Sequence, residues 1–331
     1  MFAVIMWDCI FLIFTVFVNS LGQDIEWQAS NTGLERHSFP YRNTNSNTFR
    51  DLTVTNKGLL TSECVKHYHR MYVTRNVPPR TYHYYHELVS PALHEYDPDE
   101  NVEISWRIVG GRLVSIQEVP YQVLYGKFCG GALLAPEWVI TAAHCKEEEK
   151  FVYAGSTHRS LTKPHTICAH FTHPLWNGSK LHTHDYDYQL ILLEKPVPVT
   201  SVSRPIAIGN YNDVKPGVMV AISGWGHIRF KNSKMQDLLR RTYVPIMADE
   251  VCRQMPDGNY DKITPRMFCA GYVNGTKDSC QGDSGGPAVI NGKLLGIVSY
   301  GVGCAGVRHP GVYSYVPVAR DWIRSVTGLP L

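Results

Sequence analysis

The chain has almost no charge bias. It carries 32 basic against 29 acidic side chains, a formal net charge of +3. No field of one sign exists to gather a polyanion, so nucleic acid is not an expected partner. Long apolar runs are also scarce. The one sizeable run, residues 9–18, is about ten residues long, short of the roughly 18 that span a bilayer. No Asp or Glu occurs from Ser156 to His184. Calcium takes several oxygen ligands, carboxylates above all, so that stretch offers it nothing and no metal or cofactor is expected. Residues 23–107 hold a single cysteine, Cys64, and little apolar periodicity. That excludes a disulfide-knot domain there, and the segment has too little apolar surface to offset its chain entropy.

What is present divides the chain in three. Residues 1–22 read as a signal peptide, with Ser20 and Gly22 as small residues before cleavage at Gln23. Two features depart from that pattern: no Lys or Arg precedes the run, and Asp8 interrupts it. A retained, membrane-tethering signal is the second reading. Residues 23–107 read as a loosely ordered pro-segment, marked by Asn43-Thr44-Asn45-Ser46-Asn47, Pro78-Pro79 and the His/Tyr cluster at 82–86. From 108 onward, short apolar runs recur between turn signals: Tyr121–Tyr125, Gly131–Leu134, Trp138–Thr141, Gln189–Leu193, Val218–Ser223, Lys293–Tyr300 and Gly311–Val316. That is an all-β pattern of the barrel or sandwich kind. At the end, Val318, Trp322, Ile323 and Val326 take helical spacing, which predicts an amphipathic helix.

The richest stretch is Asp278-Ser279-Cys280-Gln281-Gly282-Asp283-Ser284-Gly285-Gly286-Pro287. A serine hydroxyl attacks only when a base takes its proton and N–H groups receive the charge that forms on the substrate oxygen. Thr141-Ala142-Ala143-His144-Cys145 offers the base, and Asp187 ahead of Gln189-Leu190-Ile191-Leu192-Leu193 offers a carboxylate to orient it. Asp185 is the competing carboxylate. The order His, Asp, Ser is one of three known for this constellation.

With Ile108-Val109-Gly110-Gly111, Ser223-Gly224-Trp225-Gly226, Ser299-Tyr300-Gly301 and Pro310-Gly311-Val312-Tyr313, residues 108–331 resemble a trypsin-type serine protease of the chymotrypsin family. The resemblance implies two six-stranded antiparallel β-barrels packed side by side with a C-terminal helix. Tyr188 departs from it, standing where the family commonly has an aliphatic residue. It implies that His144, Asp187 and Ser284 are catalytic and that the N–H groups of Gly282 and Ser284 form the oxyanion hole. Asp278 would floor the specificity pocket and Gly301 and Gly311 would wall it, giving cleavage after Arg or Lys. Arg107-Ile108 resembles an activation junction, whose new Ile108 ammonium would pair with Asp283. An upstream trypsin-like protease would make that cut, and protein inhibitors would be expected partners. Such a chain is secreted and extracellular. A protease-fold regulatory protein without turnover is the reading from another class, against which the intact triad and Gly282 weigh.

Eight cysteines lie outside the signal, and sequence alone allows about 105 pairings. The resemblance implies Cys129–Cys145, Cys252–Cys269 and Cys280–Cys304. Cys64 and Cys168 remain. They would pair to tether the pro-segment, stay as thiols, or bond another chain. Asn177-Gly178-Ser179 and Asn274-Gly275-Thr276 are glycosylation sequons. The stretch from 156 to 184 is rich in histidine, and His182-Thr183-His184 reads as a solvated loop in preference to a zinc site.

Overall fold

A computed structural model describes residues 15–16, 27–28, 36–42, 49–55, 64, 111–146, 149–178, 184–227, 235–256, 260–275, 282–303 and 306–331. Before Cys64 it shows two antiparallel ladders. One pairs β1 (Thr15–Val16) with β2 (Trp27–Gln28), and the other pairs β3 (Arg36–Arg42) with β4 (Phe49–Thr55). The expectations for residues 1–22 and 23–107 otherwise fall outside the described residues, as do Arg107 and Ile108.

The first half of the chain after residue 110 closes into a barrel of six strands. They are β6 (Gln122–Tyr125), β7 (Cys129–Ala135), β8 (Trp138–Thr141), β9 (Phe151–Ala154), β10 (Lys163–Thr172) and β11 (Gln189–Leu193), ordered β10-β11-β8-β7-β6-β9. Strands β8 and β11 are buried along their whole length. Their alternate residues feed two separate cores, because side chains on a strand point to opposite faces. Val139 and Ile191 fill the barrel with Val123, Leu133, Val152 and Ile167. Trp138, Ile140, Leu190 and Leu192 point outward, into a core shared with Val289, Leu294 and Ile297. That double burial is why these strands read as unbroken apolar runs.

The second half is a curled sheet ordered β14-β17-β16-β15-β12-β13-β5. Its strands are β12 (Met219–Gly224), β13 (Arg240–Pro245), β14 (Met267–Ala270), β15 (Pro287–Ile290), β16 (Lys293–Tyr300) and β17 (Gly311–Tyr315). The two-residue β5 (Arg112–Leu113) is appended at one edge. The six longer strands come nearly full circle. An isolated bridge between Ile246 and Ala270 joins the far ends of β13 and β14, backed by Met247 N–H to Cys269 O at 2.9 Å. The expected second barrel is therefore a curled sheet that one bridge brings round. Val220, Ile222, Phe268, Leu295, Val298 and Tyr313 fill it.

Helix α1 (Asp249–Arg253) is short, and helix α2 (Arg320–Thr327) ends the chain's regular structure. The spacing predicts a start at Val318, but residues 316–319 form a 3-10 turn and the α-helix starts at Arg320. Gly328 then ends it at φ 69°, a left-handed conformation suited to glycine. Trp322, Ile323 and Val326 are buried in the core shared by both halves, each contributing about 1.5–3 kcal/mol through burial. Val318 packs instead against the core of the second sheet.

Part of the histidine-rich stretch is strand. Lys163–Thr172 is a ten-residue strand, and His170 within it is buried with Nδ1 3.3 Å from the Tyr125 hydroxyl. Burial holds His170 down at about 4, so it sits neutral.

Disulfides join Cys129 to Cys145, Cys252 to Cys269 and Cys64 to Cys168. The last spans 104 residues, and both sulfurs lie in the core shared with Trp138 and Trp322. Cys280 and Cys304 lie outside the described residues.

Candidate active site

His144 sits in a 3-10 turn, Ala143–Cys145, directly after β8. The Cys129–Cys145 bond pins that turn to the start of β7. Asp187 lies fully buried just ahead of β11. Strands β8 and β11 are antiparallel neighbours, with Thr141 opposite Gln189. That register brings the segment that follows β8 beside the segment that precedes β11. The His144 backbone N–H donates to Asp187 Oδ1 at 2.9 Å, and His144 Nδ1 lies 2.7 Å from Oδ2. The carboxylate thus grips the histidine by main chain and ring together.

The electrostatics follow. Burial alone would raise the Asp187 carboxyl, but the His144 charge and hydrogen bond, with help from Ser299, drive it well below the ordinary carboxylate range. Burial alone would lower His144, but the Asp187 charge and hydrogen bond hold it above its ordinary value. Such a pair keeps the aspartate ionised and the imidazole oriented with its proton on Nδ1.

Ser284 comes from the second sheet, in the loop ahead of β15, and is half-buried. That loop presses against the first barrel. Gly130 N–H donates to Ser284 O at 2.7 Å, and the Thr141 hydroxyl donates to Gly130 O at 2.7 Å. A Cβ on Gly285, which has φ 75°, would lie 2.1 Å from Thr141 Oγ1 and 2.7 Å from Gly130 O. Only glycine suits both the conformation and the gap. The N–H groups of Gly285 and Gly286 are taken by Val298 O and Asp283 O at 2.8 Å each. Those of Gly282 and Ser284 donate to no protein acceptor among the described residues. Nor does a hydrogen bond join the Ser284 hydroxyl to His144 there. The ring's Nε2 faces Cys145 Sγ at 3.9 Å. Catalytic hydrogen bonds are often long until substrate binds.

Asp283 points the other way from its neighbour. Its buried carboxylate accepts from Gly226 N–H at 2.9 Å. A Cβ on Gly224 would fall 2.1 Å from its Oδ1, and one on Gly226 2.5 Å from its Cγ. The glycines of Ser223-Gly224-Trp225-Gly226 therefore make room for this charge. Gly301 follows β16 and Gly311 opens β17. A Cβ on Gly301 would sit 3.8 Å from Gly311 Cα, so the two glycines face each other. Asp278 lies outside the described residues. Asn177 and Asn274 are both exposed, Asn274 within a turn.

A family model described as trypsin matches residues 108–323. The chain belongs to the trypsin family. Trypsin 5G1 of Aedes aegypti is 40% identical over 235 residues, which is 68% of this chain and 86% of that protein. The trypsin of Sus scrofa is 37% identical over 225 residues, 66% of this chain and 94% of that one. A solved structure of neuropsin, a serine protease expressed in the limbic system of mouse brain, superposes with a TM-score of 0.60 at 33% identity. It covers 65% of this chain and 97% of its own.

This trypsin-family site holds groups that sequence reasoning did not assign. The Ser299 hydroxyl donates to Asp187 Oδ2 at 2.6 Å. Ser299 lies within the quoted Ser299-Tyr300-Gly301 motif, which was the one available signal for it. His184 stacks on Tyr300 with ring centroids 4.5 Å apart and meets His144 edge-on at 6.0 Å. Its Nδ1 is 3.9 Å from Asp187 Oδ2, too long for a hydrogen bond. Asp185 takes no part in the dyad, because Arg266 holds it.

Donor atoms of His144, His184 and Asp187 lie within 4.8 Å of one another. Two donors sharing a tetrahedral zinc sit roughly 3.4 Å apart, whereas His144 Nδ1 and Asp187 Oδ2 are at 2.7 Å. This spacing suits a shared proton. The grouping of His144 with Cys129 and Cys145 offers no thiolate, since those sulfurs are bonded to each other.

Proposed function

We propose that this chain is a secreted serine endopeptidase that hydrolyses peptide bonds after Arg or Lys. One observation carries the reading: a buried carboxylate grips His144 at 2.7 Å, and the loop of Ser284 is fastened to the same barrel through Gly130. Ser284 attacks the carbonyl. His144 takes its proton and returns it to the leaving amine. Asp187 holds the ring and stabilises its cationic form. The N–H groups of Gly282 and Ser284 receive the oxyanion. Losing one such donor costs on the order of 10²–10³ in rate.

Specificity rests on Asp278, which pairs with a substrate guanidinium or ammonium between Gly301 and Gly311. The chain is a zymogen, cut between Arg107 and Ile108 by a trypsin-like activator. The new ammonium then joins Asp283, which is buried beside Gly226 N–H. The Cys64–Cys168 bond keeps the cut pro-segment attached, and protein inhibitors regulate the product.

The test is to cleave after Arg107, label with an active-site serine reagent, and profile a peptide library. Labelling at Ser284 with cleavage after Arg and Lys is expected. No labelling, or a preference for Phe, overturns the reading. Full activity of an Arg107→Gln variant after treatment with a trypsin-like activator overturns the zymogen scheme.

A further inference from the structure

Asp187 follows a residue that ought not to hold its shape unaided. Tyr186 has φ 58°, a left-handed backbone that a bulky side chain adopts only when its surroundings over-determine it. The surroundings do so from two sides. The His173 ring stacks on Tyr186 with centroids 4.7 Å apart and 23° between planes, and the Arg266 guanidinium covers the ring at 4.4 Å. Arg266 also forks onto Asp185, with Nε to Oδ1 at 2.7 Å and Nη2 to Oδ2 at 2.6 Å. Asp185 Oδ1 accepts further from the Thr264 hydroxyl and from the Tyr186 N–H, each at 3.0 Å. The turn is closed by Tyr188 N–H to Tyr186 O at 2.7 Å.

His173 follows β10 of the barrel that carries Asp187, but the other anchors do not belong to that barrel. Thr264 and Arg266 lead into β14 of the second sheet. The Tyr188 hydroxyl reaches that sheet too, 2.9 Å from Tyr315 O and 3.1 Å from Arg266 O. The residues on both sides of the aspartate are thus referenced to the sheet whose loop carries Ser284.

We infer that Arg266 is a positioning residue for the dyad: by gripping Asp185 and capping Tyr186 it holds the left-handed turn that aims Asp187 at His144. The fork acts through backbone geometry, since the Arg266 side chain is 30% exposed and touches neither His144 nor Ser284. A small displacement suffices to matter, because misplacing a catalytic group by about 1 Å costs up to roughly 100-fold.

This inference rests on the proposed reaction, so its test includes a readout that does not need turnover. The full chain is cut after Arg107 in wild-type, Arg266→Met, Arg266→Lys and Tyr188→Phe forms. Hydrolysis of an Arg peptide substrate is normalised to titrated Ser284, and the His144 Nδ1 proton is followed by NMR. Arg266→Met is expected to lower kcat roughly 10- to 100-fold with KM within about twofold. Its kcat/KM acid limb should move to lower pH, and the His144 proton signal should shift or broaden. Arg266→Lys keeps the charge without the fork and should fall between. Asn tolerates the left-handed region, so Tyr186→Asn placed on Arg266→Met should restore most of the loss.

A variant with wild-type kcat, acid limb and proton signal, and only a lower Tm, overturns the inference. Should Arg266→Met not fold, the Arg266→Lys and Tyr188→Phe forms carry the same comparison. A wild-type protein that never turns over sinks the enzyme reading, while the proton signal still decides the clamp.

Discussion

Removing the Ser299 hydroxyl should weaken the fold far more than it slows the reaction. Ser299→Ala deletes a donor 2.6 Å from Asp187 Oδ2, at a site where both residues are buried. The carboxylate keeps two donors, and both come from His144. A hydrogen bond to a charged group contributes about 1.5–3 kcal/mol, against about 0.5–1.5 for a neutral one. The loss at neutral pH should be about 2 kcal/mol, or roughly 4–8 °C in Tm for a domain of this size. Asp187 has its pKa depressed in the fold. Its ionised form therefore contributes stability above the unfolded value near 3.8, and that stability fades as pH falls below it. Hence the gap between wild type and variant should be widest from about pH 6 to 8 and shrink by half or more as Asp187 protonates. Turnover should change by about threefold or less, because Ser299 bonds the carboxylate before and during proton transfer alike, and such uniform stabilisation leaves the barrier unmoved. Thermal unfolding across pH, in a Ser284→Ala background that stops self-digestion, measures the first effect. Steady-state kinetics of the active form measures the second. A gap under about 0.5 kcal/mol at pH 7, or one that does not change with pH, would show that Ser299 does not support an ionised Asp187.

Further outcomes follow from the dyad and the tether. His144 must be neutral to accept a proton, and Asp187 holds it above its ordinary value of 6.5, so the acid limb of kcat/KM should lie above that pH. Asp187→Asn should lower kcat by on the order of 10⁴ and move the limb down; an unmoved limb would refute the assignment of the limb to this pair. Asp185→Asn should cost only as much as loosening Arg266 does, and a collapse confined to Asp185→Asn would transfer the catalytic role to it. Separately, mass analysis of the Arg107-cleaved protein should find the two fragments joined without reductant and apart in Cys168→Ser. Fragments that separate in the wild type would contradict the Cys64–Cys168 bond.

The candidate triad was legible because each member sits in a contiguous motif, and the first barrel because β8 and β11 are buried on both faces and read as apolar runs. Other strands were hidden by their chemistry. β13 alternates buried and half-buried residues, but the inward position at its start is Arg240 and the pattern opens Arg-Arg-Thr, which looks like surface. β10 mixes Lys163, Pro164, His165 and Thr166 before its apolar part, and so does not stand out as a strand. The supporting groups around Asp187 were hidden for a different reason. Ser299 is 112 residues from Asp187, Arg266 is 81 from Asp185, and the Tyr188 hydroxyl bonds a carbonyl 127 residues on. No local rule links such pairs. The sequence did mark Tyr188 as a departure from an aliphatic norm, and that departure turned out to be a hydrogen bond between the two halves. A chain that places its serine on one sheet and its histidine and aspartate on another has to control the offset between them. Here Gly130 fixes the serine loop from the first barrel, while Arg266 and Tyr315 fix the aspartate from the second. Each sheet thus sets the position of the other's candidate reacting group, and residues of that kind come into view only once both sheets are assembled.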